Sequence, residues 1–357
     1  MRTTIAHIDP PRGYAPYIRG LCTAILLALA VPGITGWWPL LFIALLPLFS
    51  ALGRLSIKQA LYMGLFCGIF YHASLFYWIL PVLQRFGGLH LATAALVLLL
   101  LAAYMAIYTT LFCLLLNSVL AKAQSRGNAA TLLLLIAPIL WTSLDFLRGI
   151  LFTGLPWMDL GYALYRQPLL IQAADLGGHY LITFSVVMVN ALLFWLLDRF
   201  LAARSSSLPV SDYHFGHPIT VFLLLSCLGG YSVLRYQQIA SETATADTVM
   251  VSTVQGNIEQ HLKWSPAQKE KTVDRYLSLS LQVLGQEEKP ELLVWPETAL
   301  PFYPAREPLM NRIRAFQRKN EIRILTGSPY FTVNPKDQTR VFYYNSALLL
   351  NHSGRLA

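Results

Sequence analysis

The chain has 357 residues, of which 55% are hydrophobic and 13% are charged, and its formal net charge is +9. Soluble domains carry about 25% charged residues, so this composition excludes a disordered chain and argues against a purely soluble protein. The basic balance by itself fits either a nucleic-acid partner or an anionic membrane.

The charges are distributed unevenly along the chain. Residues 1–236 hold 13 Lys and Arg and 6 Asp and Glu, whereas residues 237–357 hold 14 and 12. This change predicts a transmembrane helical domain over 1–236, a polar linker over 237–247 and a water-facing domain from residue 248 onwards.

Seven apolar runs predict seven membrane spans, since a spanning helix needs about 20 mainly apolar residues. The first two runs are short and are separated by Pro32-Gly33, which predicts a helical hairpin. An alternative for the first run is a signal peptide cleaved after Ala28-Leu29-Ala30, although apolar runs continue directly beyond it. The runs are Leu21–Val31, Trp37–Leu52, Gln59–Leu83, Leu89–Leu120, Ala129–Leu147, Leu176–Leu197 and Ile219–Tyr236.

The basic residues of the connecting loops predict the orientation, because Lys and Arg concentrate on the cytoplasmic side. With the N-terminus inside, the outer loops hold only Arg85, Arg148 and Arg166. Seven crossings then place the chain after Tyr236 in the periplasm of a bacterium. The inner loops hold Arg2, Arg12, Arg19, Arg54, Lys58, Lys122, Arg126, Arg199 and Arg204.

Polar residues inside the predicted spans allow two interpretations. Asn117, Asn190 and His72 are candidates for a functional site at membrane depth. For Asn117 and Asn190 the alternative is hydrogen bonding between helices. The predicted outer loop Asp145–Asp175 is rich in Gly, Pro and aromatic residues, which fits a lid or portal. The four cysteines lie in apolar runs without zinc or redox spacing, so we expect no metal and no cofactor.

The segment after residue 248 alternates between predicted strands and helices, which indicates an α/β layer. We expect the third strand to end at Gly327-Ser328-Pro329 and the fourth to follow a turn at Asn334–Gln338. In order, the elements are a strand Thr248–Val254, a helix Pro266–Leu284, a strand Glu291–Trp295, a basic helix Pro308–Asn320, and strands Ile322–Thr326 and Val341–Asn351.

Three segments follow the carboxyl ends of these strands, where ligands bind in such sheets. They are Gln255–Asn257, Pro296–Thr298 and Gly327–Pro329. Glu297 follows a buried strand, and an apolar setting there would suit a general base. The alternative is an ordinary acid at the start of a helix beginning near Thr298. The basic helix is interpreted as a solvated face, or as one that touches anionic headgroups, rather than as a nucleic-acid site.

The motifs of both halves are similar to those of bacterial apolipoprotein N-acyltransferases, which belong to the nitrilase superfamily. The resemblance implies a polytopic helical bundle of about seven spans, followed by part of an α/β nitrilase-like (αββα sandwich) domain. The motifs are Val254-Gln255-Gly256-Asn257-Ile258, Leu262-Lys263-Trp264, Leu293-Val294-Trp295-Pro296-Glu297-Thr298-Ala299, Leu147-Arg148-Gly149, Thr153-Gly154-Leu155-Pro156-Trp157 and Gly161-Tyr162.

This resemblance implies acyl transfer between lipids in the bacterial inner membrane. A Glu-Lys-Cys triad takes an acyl chain from a phospholipid as a Cys thioester and passes it to the N-terminal diacylglyceryl-cysteine of a lipoprotein. Residue by residue, Glu297 matches the general base, and Trp264 matches an aromatic residue near the substrate. No cofactor and no nucleic acid are implied.

Two triad residues have no match in this sequence. The family's Lys lies in a Y-x-K-x-x-L-V-P-F-G-E segment beyond the last predicted strand, and neither Lys319 nor Lys336 fits it. No cysteine follows Cys227. We therefore expect an incomplete chain that is inactive as written. The alternatives are a non-catalytic membrane protein that binds lipid or lipoprotein, and a membrane-tethered amidohydrolase.

Overall fold

The computed structural model describes residues 13–33, 35–124, 129–205, 216–259 and 263–351. Two compact units are present, Met1–Ala244 and Thr245–Ala357. Four residues used above, Arg2, Arg12, Arg126 and Leu262, lie outside the described residues.

The first unit is helical and apolar. Four of its helices are long and apolar enough to cross a membrane, and α3 with α4 makes a fifth candidate that bends by 56°. The first two apolar runs form helices too short for this criterion. In order, the helices are α1 (Ala15–Ala30), a 3-10 helix (Trp38–Phe42), α2 (Leu46–Ala51), α3 (Ile57–Leu75), α4 (Ile79–Arg85), α5 (Leu91–Gln124), α6 (Ala129–Ile150), α7 (Ala174–Ser205) and α8 (Gly216–Thr245).

The chain doubles back after α1, as the Pro-Gly turn predicts, but the returning arm is not one helix. It is a 3-10 helix followed by the short α2, and each begins with a proline in its first turn. The Trp37 N–H donates to the Leu29 carbonyl (2.8 Å) and the Leu48 N–H donates to Thr23 Oγ1 (3.1 Å). These hydrogen bonds satisfy backbone groups that a continuous helix would have satisfied itself.

Two buried asparagines serve this interrupted region. Asn190 accepts from the Leu45 N–H and donates to the Leu41 carbonyl, both at 2.9 Å. Asn117 accepts from the Gly53 N–H (2.8 Å) and donates to the Leu55 carbonyl (3.0 Å). The interpretation that these asparagines make structural hydrogen bonds across the bundle is thereby confirmed.

The prediction of an outer loop starting at Asp145 is wrong, because α6 continues to Ile150. Asp145 and Arg148 are buried in its last turns, where Arg148 pairs with Asp145 (3.0 Å) and with Asp159. His179 Nε2 of α7 lies 2.8 Å from Asp159 Oδ2. In the sequence, Asp145 and Arg148 look like the end of an apolar run. In the structure they lie inside the bundle, because each is paired with an opposite charge there.

The predicted linker over 237–247 is also different in the structure, since α8 continues as a helix to Thr245. This polar segment contains neither Pro nor Gly, and Gln238 donates to Glu242 one turn later at 2.7 Å. Such an i, i+4 pair supports a solvated helix.

The second unit has a four-stranded mixed sheet in the order β1-β2-β3-β4, in which β4 alone is antiparallel to its neighbour. Two helices, α9 and α10, share one hydrophobic core with the strands. The elements are β1 (Val251–Thr253), α9 (Lys269–Leu284), β2 (Leu292–Val294), α10 (Leu309–Asn320), β3 (Arg323–Asn334) and β4 (Asp337–Leu350).

Contrary to the prediction, β3 does not end at Gly327-Ser328-Pro329 but runs through these residues to Asn334. It pairs with β4 from Ile324–Leu350 to Val333–Val341. Aromatic and β-branched residues on both strands favour this long hairpin over a turn at Gly-Ser-Pro.

Trp295 anchors the end of β2 in the core. Its indole N–H donates to Ser280 of α9 (3.1 Å), and its ring stacks on Tyr276 at a centroid distance of 5.1 Å. Burial raises the pKa of the Tyr276 hydroxyl. A Cβ on Gly256 would lie 2.8 Å from the Tyr276 ring, so the backbone after β1 packs directly against it. The stacked rings of Tyr276 and Trp295 therefore hold both the end of β2, which precedes Glu297, and the backbone that follows β1.

Candidate active site

Glu297 lies in a tight turn at the carboxyl end of β2. Trp295 still bonds to β3 through its N–H (2.8 Å to the Leu325 carbonyl), and Pro296 then ends the strand. Thr298 has a φ of 50°, and the next helix among the described residues begins at Leu309. The alternative that Glu297 is an ordinary acid at a helix N-terminus is therefore wrong.

The turn is pressed against Gly327 of β3. The Gly327 N–H donates to the Pro296 carbonyl and the Leu300 N–H donates to the Gly327 carbonyl, each at 3.2 Å. A Cβ at position 327 would lie 2.3 Å from the Thr298 nitrogen and 2.6 Å from Glu297 Cα. The expected proximity of these two segments is confirmed, and only glycine permits so close an approach.

The Glu297 side chain is exposed, which differs from the apolar setting that the sequence predicts. Asn345 of β4 donates from Nδ2 to Glu297 Oε1 at 2.5 Å, and Lys263 donates from Nζ to the Glu297 carbonyl at 3.2 Å. The carboxylate is thus accessible to a reactant but held by a charge-assisted hydrogen bond. Sequence reasoning missed Asn345, whose only sign is an amide within an aromatic strand.

The third predicted segment, Gln255–Asn257, follows β1 at the same edge of the sheet. The Val254 N–H donates to the Val294 carbonyl (2.9 Å), which keeps β1 beside β2 up to this edge. Gln255 then donates to the Asn257 side chain (2.8 Å), and Asn257 has a φ of 51°. These contacts place the segment next to the end of β2, without a direct hydrogen bond to Glu297 among the described contacts.

Trp264 lies on an open groove of about 460 Å³ in the same unit. Its indole is 54% exposed, which leaves its face accessible to a ligand. Pro329 also lines the groove, and Pro329 is paired with Asn345, the residue that holds Glu297. The other lining residues are Lys269, Pro301, Phe302, Tyr303, Arg306 and Glu307.

The basic helix α10 uses part of its charge within the unit. Arg312 pairs with Glu270 (3.0 Å) and with Asp274 of α9.

Among the residues that the structure describes, no group of three His, Cys, Asp or Glu side chains is arranged to hold a metal ion. The site around this turn combines the Glu297 carboxylate, the Asn345 amide and the Lys263 ammonium. A carboxylate suits proton transfer, and amide and ammonium groups suit oxyanion binding.

Comparison with known families matches each half separately. Residues 23–192 match the apolipoprotein N-acyltransferase N-terminal domain, and residues 250–357 match the carbon-nitrogen hydrolase domain. The chain is therefore a multi-pass membrane protein that carries a carbon-nitrogen hydrolase type of domain.

The chain is also similar to complete proteins that contain both domains. The apolipoprotein N-acyltransferase of Geobacter metallireducens is 35% identical over 340 residues, covering 95% of this chain and 61% of the relative. Those of Pasteurella multocida and Vibrio parahaemolyticus are 29% and 30% identical, covering 89% and 88% of this chain and 56% of each relative. The chain is similar to apolipoprotein N-acyltransferases over most of its length, and it spans about three fifths of the length of these relatives.

Proposed function

We propose that this protein acts in lipoprotein N-acylation, moving an acyl chain from a phospholipid through a Cys thioester to the N-terminal diacylglyceryl-cysteine of a lipoprotein. The observation that carries this proposal is Glu297, an exposed carboxylate at the carboxyl end of β2 held by Asn345 at 2.5 Å. A carboxylate in that place can reach a thiol and still keep its orientation.

In the proposed chemistry, Glu297 acts as the general base. It accepts the thiol proton, the thiolate attacks the ester carbonyl of the phospholipid, and the lysophospholipid leaves with the proton. The lipoprotein α-amine then attacks the thioester, which forms the amide and restores the thiol. A lysine near the carbonyl oxygen stabilises the oxyanion in each step.

Trp264 is proposed to bind substrate through the groove of about 460 Å³ that it lines. An indole contributes a large apolar face and one N–H donor, which suits a ligand with both an acyl chain and a peptide. Pro329 connects this groove to the strand position of Asn345. A bound substrate would therefore lie on the side of the sheet from which Glu297 is held.

The proposed topology is that of the sequence analysis. We propose seven crossings of the inner membrane with the N-terminus in the cytoplasm. This orientation puts the nitrilase-like domain, proposed to be of the αββα sandwich type, in the periplasm. In this topology the short helix α1 is the first crossing. The 3-10 helix and α2 together form the second crossing. Crossings this short require a locally thinner bilayer.

The 357-residue chain contributes the base but offers no matching Lys or Cys, so we propose that by itself it forms no acyl-thioester. The experiment is mass spectrometry of the chain after incubation with phosphatidylethanolamine vesicles, with and without hydroxylamine. We expect no hydroxylamine-sensitive acyl adduct, and finding one would refute the proposal.

A chimera tests the role of Glu297 directly. Residues 1–351 are joined to the remaining segment of the Geobacter metallireducens relative, and acyl-thioester formation is measured in membranes. We expect the chimera to form the thioester, Glu297→Gln to abolish it, and Glu291→Gln, an exposed acid before β2, to retain it. A folded, inserted chimera without thioester would contradict the function, and a normal thioester in Glu297→Gln would exclude this residue.

A further inference from the structure

A groove of about 330 Å³ lies between α7 and α8 in the helical unit, and none of the residues used in the proposed chemistry lines it. Ile182, Val186 and Val189 form the α7 wall, and Leu225 and Leu228 form the α8 wall. The α8 residues that line the groove lie between positions 225 and 233, near the middle of that helix.

The groove offers almost nothing to a polar ligand. Of its two hydroxyl groups, that of Ser185 already donates to the Leu181 carbonyl of its own helix at 2.8 Å. An apolar space of this size does not hold ordered water, and leaving it empty forfeits packing. Because α7 and α8 are both long and apolar enough to span a membrane, hydrocarbon is the medium around it.

A polar cluster lies where both apolar runs end. Asp175 accepts hydrogen bonds from the Tyr231 hydroxyl (2.8 and 2.9 Å) and from Arg235 Nε (2.9 Å). Asp175 comes two residues after Ala173, and Arg235 comes two residues after Val233; Ala173 and Val233 both line the groove. An apolar groove therefore ends at a carboxylate and a guanidinium, both partly exposed.

We propose that this groove binds one acyl chain of a membrane phospholipid, whose headgroup lies at Asp175, Tyr231 and Arg235. The pairing with Asp175 uses Arg235 Nε, and the remaining N–H groups of a guanidinium suit a phosphate. Asp175 can accept from the ammonium of a zwitterionic headgroup. The lipid is held between the helices as a structural ligand and is not consumed.

Two adjacent glycines of α8 provide a matched test. Gly229 lines the groove and Gly230 does not, and a Cβ at either position would meet nothing within 4 Å. Gly229→Leu places a side chain in the groove. Gly230→Leu makes the same Gly-to-Leu change in α8 but leaves the groove open. Both full-length variants are purified from nanodiscs of phosphatidylethanolamine and phosphatidylglycerol, and bound lipid is counted by native mass spectrometry.

We expect the unmodified chain and Gly230→Leu to retain one phosphatidylethanolamine, and Gly229→Leu to lose retention by about tenfold or more. Arg235→Gln should weaken retention of the phospholipid more than that of a detergent with the same chain. Equal retention by both glycine variants, no retained lipid in the unmodified chain, or a groove filled by a helix of a second copy would each overturn the proposal.

Discussion

Gly327→Ala tests how the turn that carries Glu297 is positioned. The new Cβ would lie 2.3 Å from the Thr298 nitrogen, so the turn must retreat by about 1 Å to reach an ordinary contact of 3.4 Å. This movement strains both 3.2 Å hydrogen bonds that tie Gly327 to Pro296 and Leu300. Two weakened bonds at about 1 kcal/mol each, with an overpacking cost of about 1–3 kcal/mol, predict a local loss of about 3–5 kcal/mol.

Hydrogen exchange of the full chain, followed by mass spectrometry, measures this local loss. Since about 1.4 kcal/mol corresponds to a factor of ten, we expect the hydrogen-bonded amides of Ala299 and Leu300 to exchange at least about 100-fold faster in Gly327→Ala. Gly285→Ala is the control, because its Cβ would come no closer than 3.6 Å to any atom. Unchanged exchange at Ala299 and Leu300 in Gly327→Ala would refute the reasoning.

Three further predictions concern groups buried elsewhere in the protein. Arg148→Met leaves Asp145 without its cation and Asp159 with His179 alone, so we expect a loss of about 3–5 kcal/mol in thermal unfolding in detergent; a melting temperature equal to that of Arg166→Met, the exposed control, would contradict this. Asn190→Leu strips the hydrogen bonds from Leu41 and Leu45, for an expected loss of about 2–3 kcal/mol, whereas Ser118→Ala at an exposed position should change little. Because burial raises the pKa of Tyr276, its stabilisation is complete below the unfolded value of about 10 and is lost as pH rises beyond it. Tyr276→Phe should flatten that alkaline fall in the unfolding of the second unit, and a fall of the same steepness in both proteins would exclude this origin.

The sequence predicts well what is decided locally. The long apolar runs become α5 to α8, and the strand before Pro296 places Glu297 at the carboxyl edge of the sheet. The turn at Pro32-Gly33 reverses the chain. In each case, hydropathy or a helix-breaking residue within a short window determines the outcome.

What the sequence does not predict depends on distant partners. Arg148 appears to end a span until Asp159, eleven residues later, pairs with it inside the bundle. The length of β3 depends on β4, and the hold on Glu297 depends on Asn345, 48 residues away. The exposure of Glu297 follows from how the turn lies over Gly327, which no local pattern reveals.

Strand β4 has a consequence for how the protein behaves in concentrated solution. It is the outer strand of the described sheet, with 14 residues whose side chains include the 69%-exposed Tyr343. A long, aromatic outer strand accepts any extended peptide that matches its hydrogen-bonding pattern, including the same strand of another molecule. Among the described residues, β4 therefore offers a site at which an extended segment can add to the sheet, and Tyr343→Lys is the simplest change that would discourage such pairing.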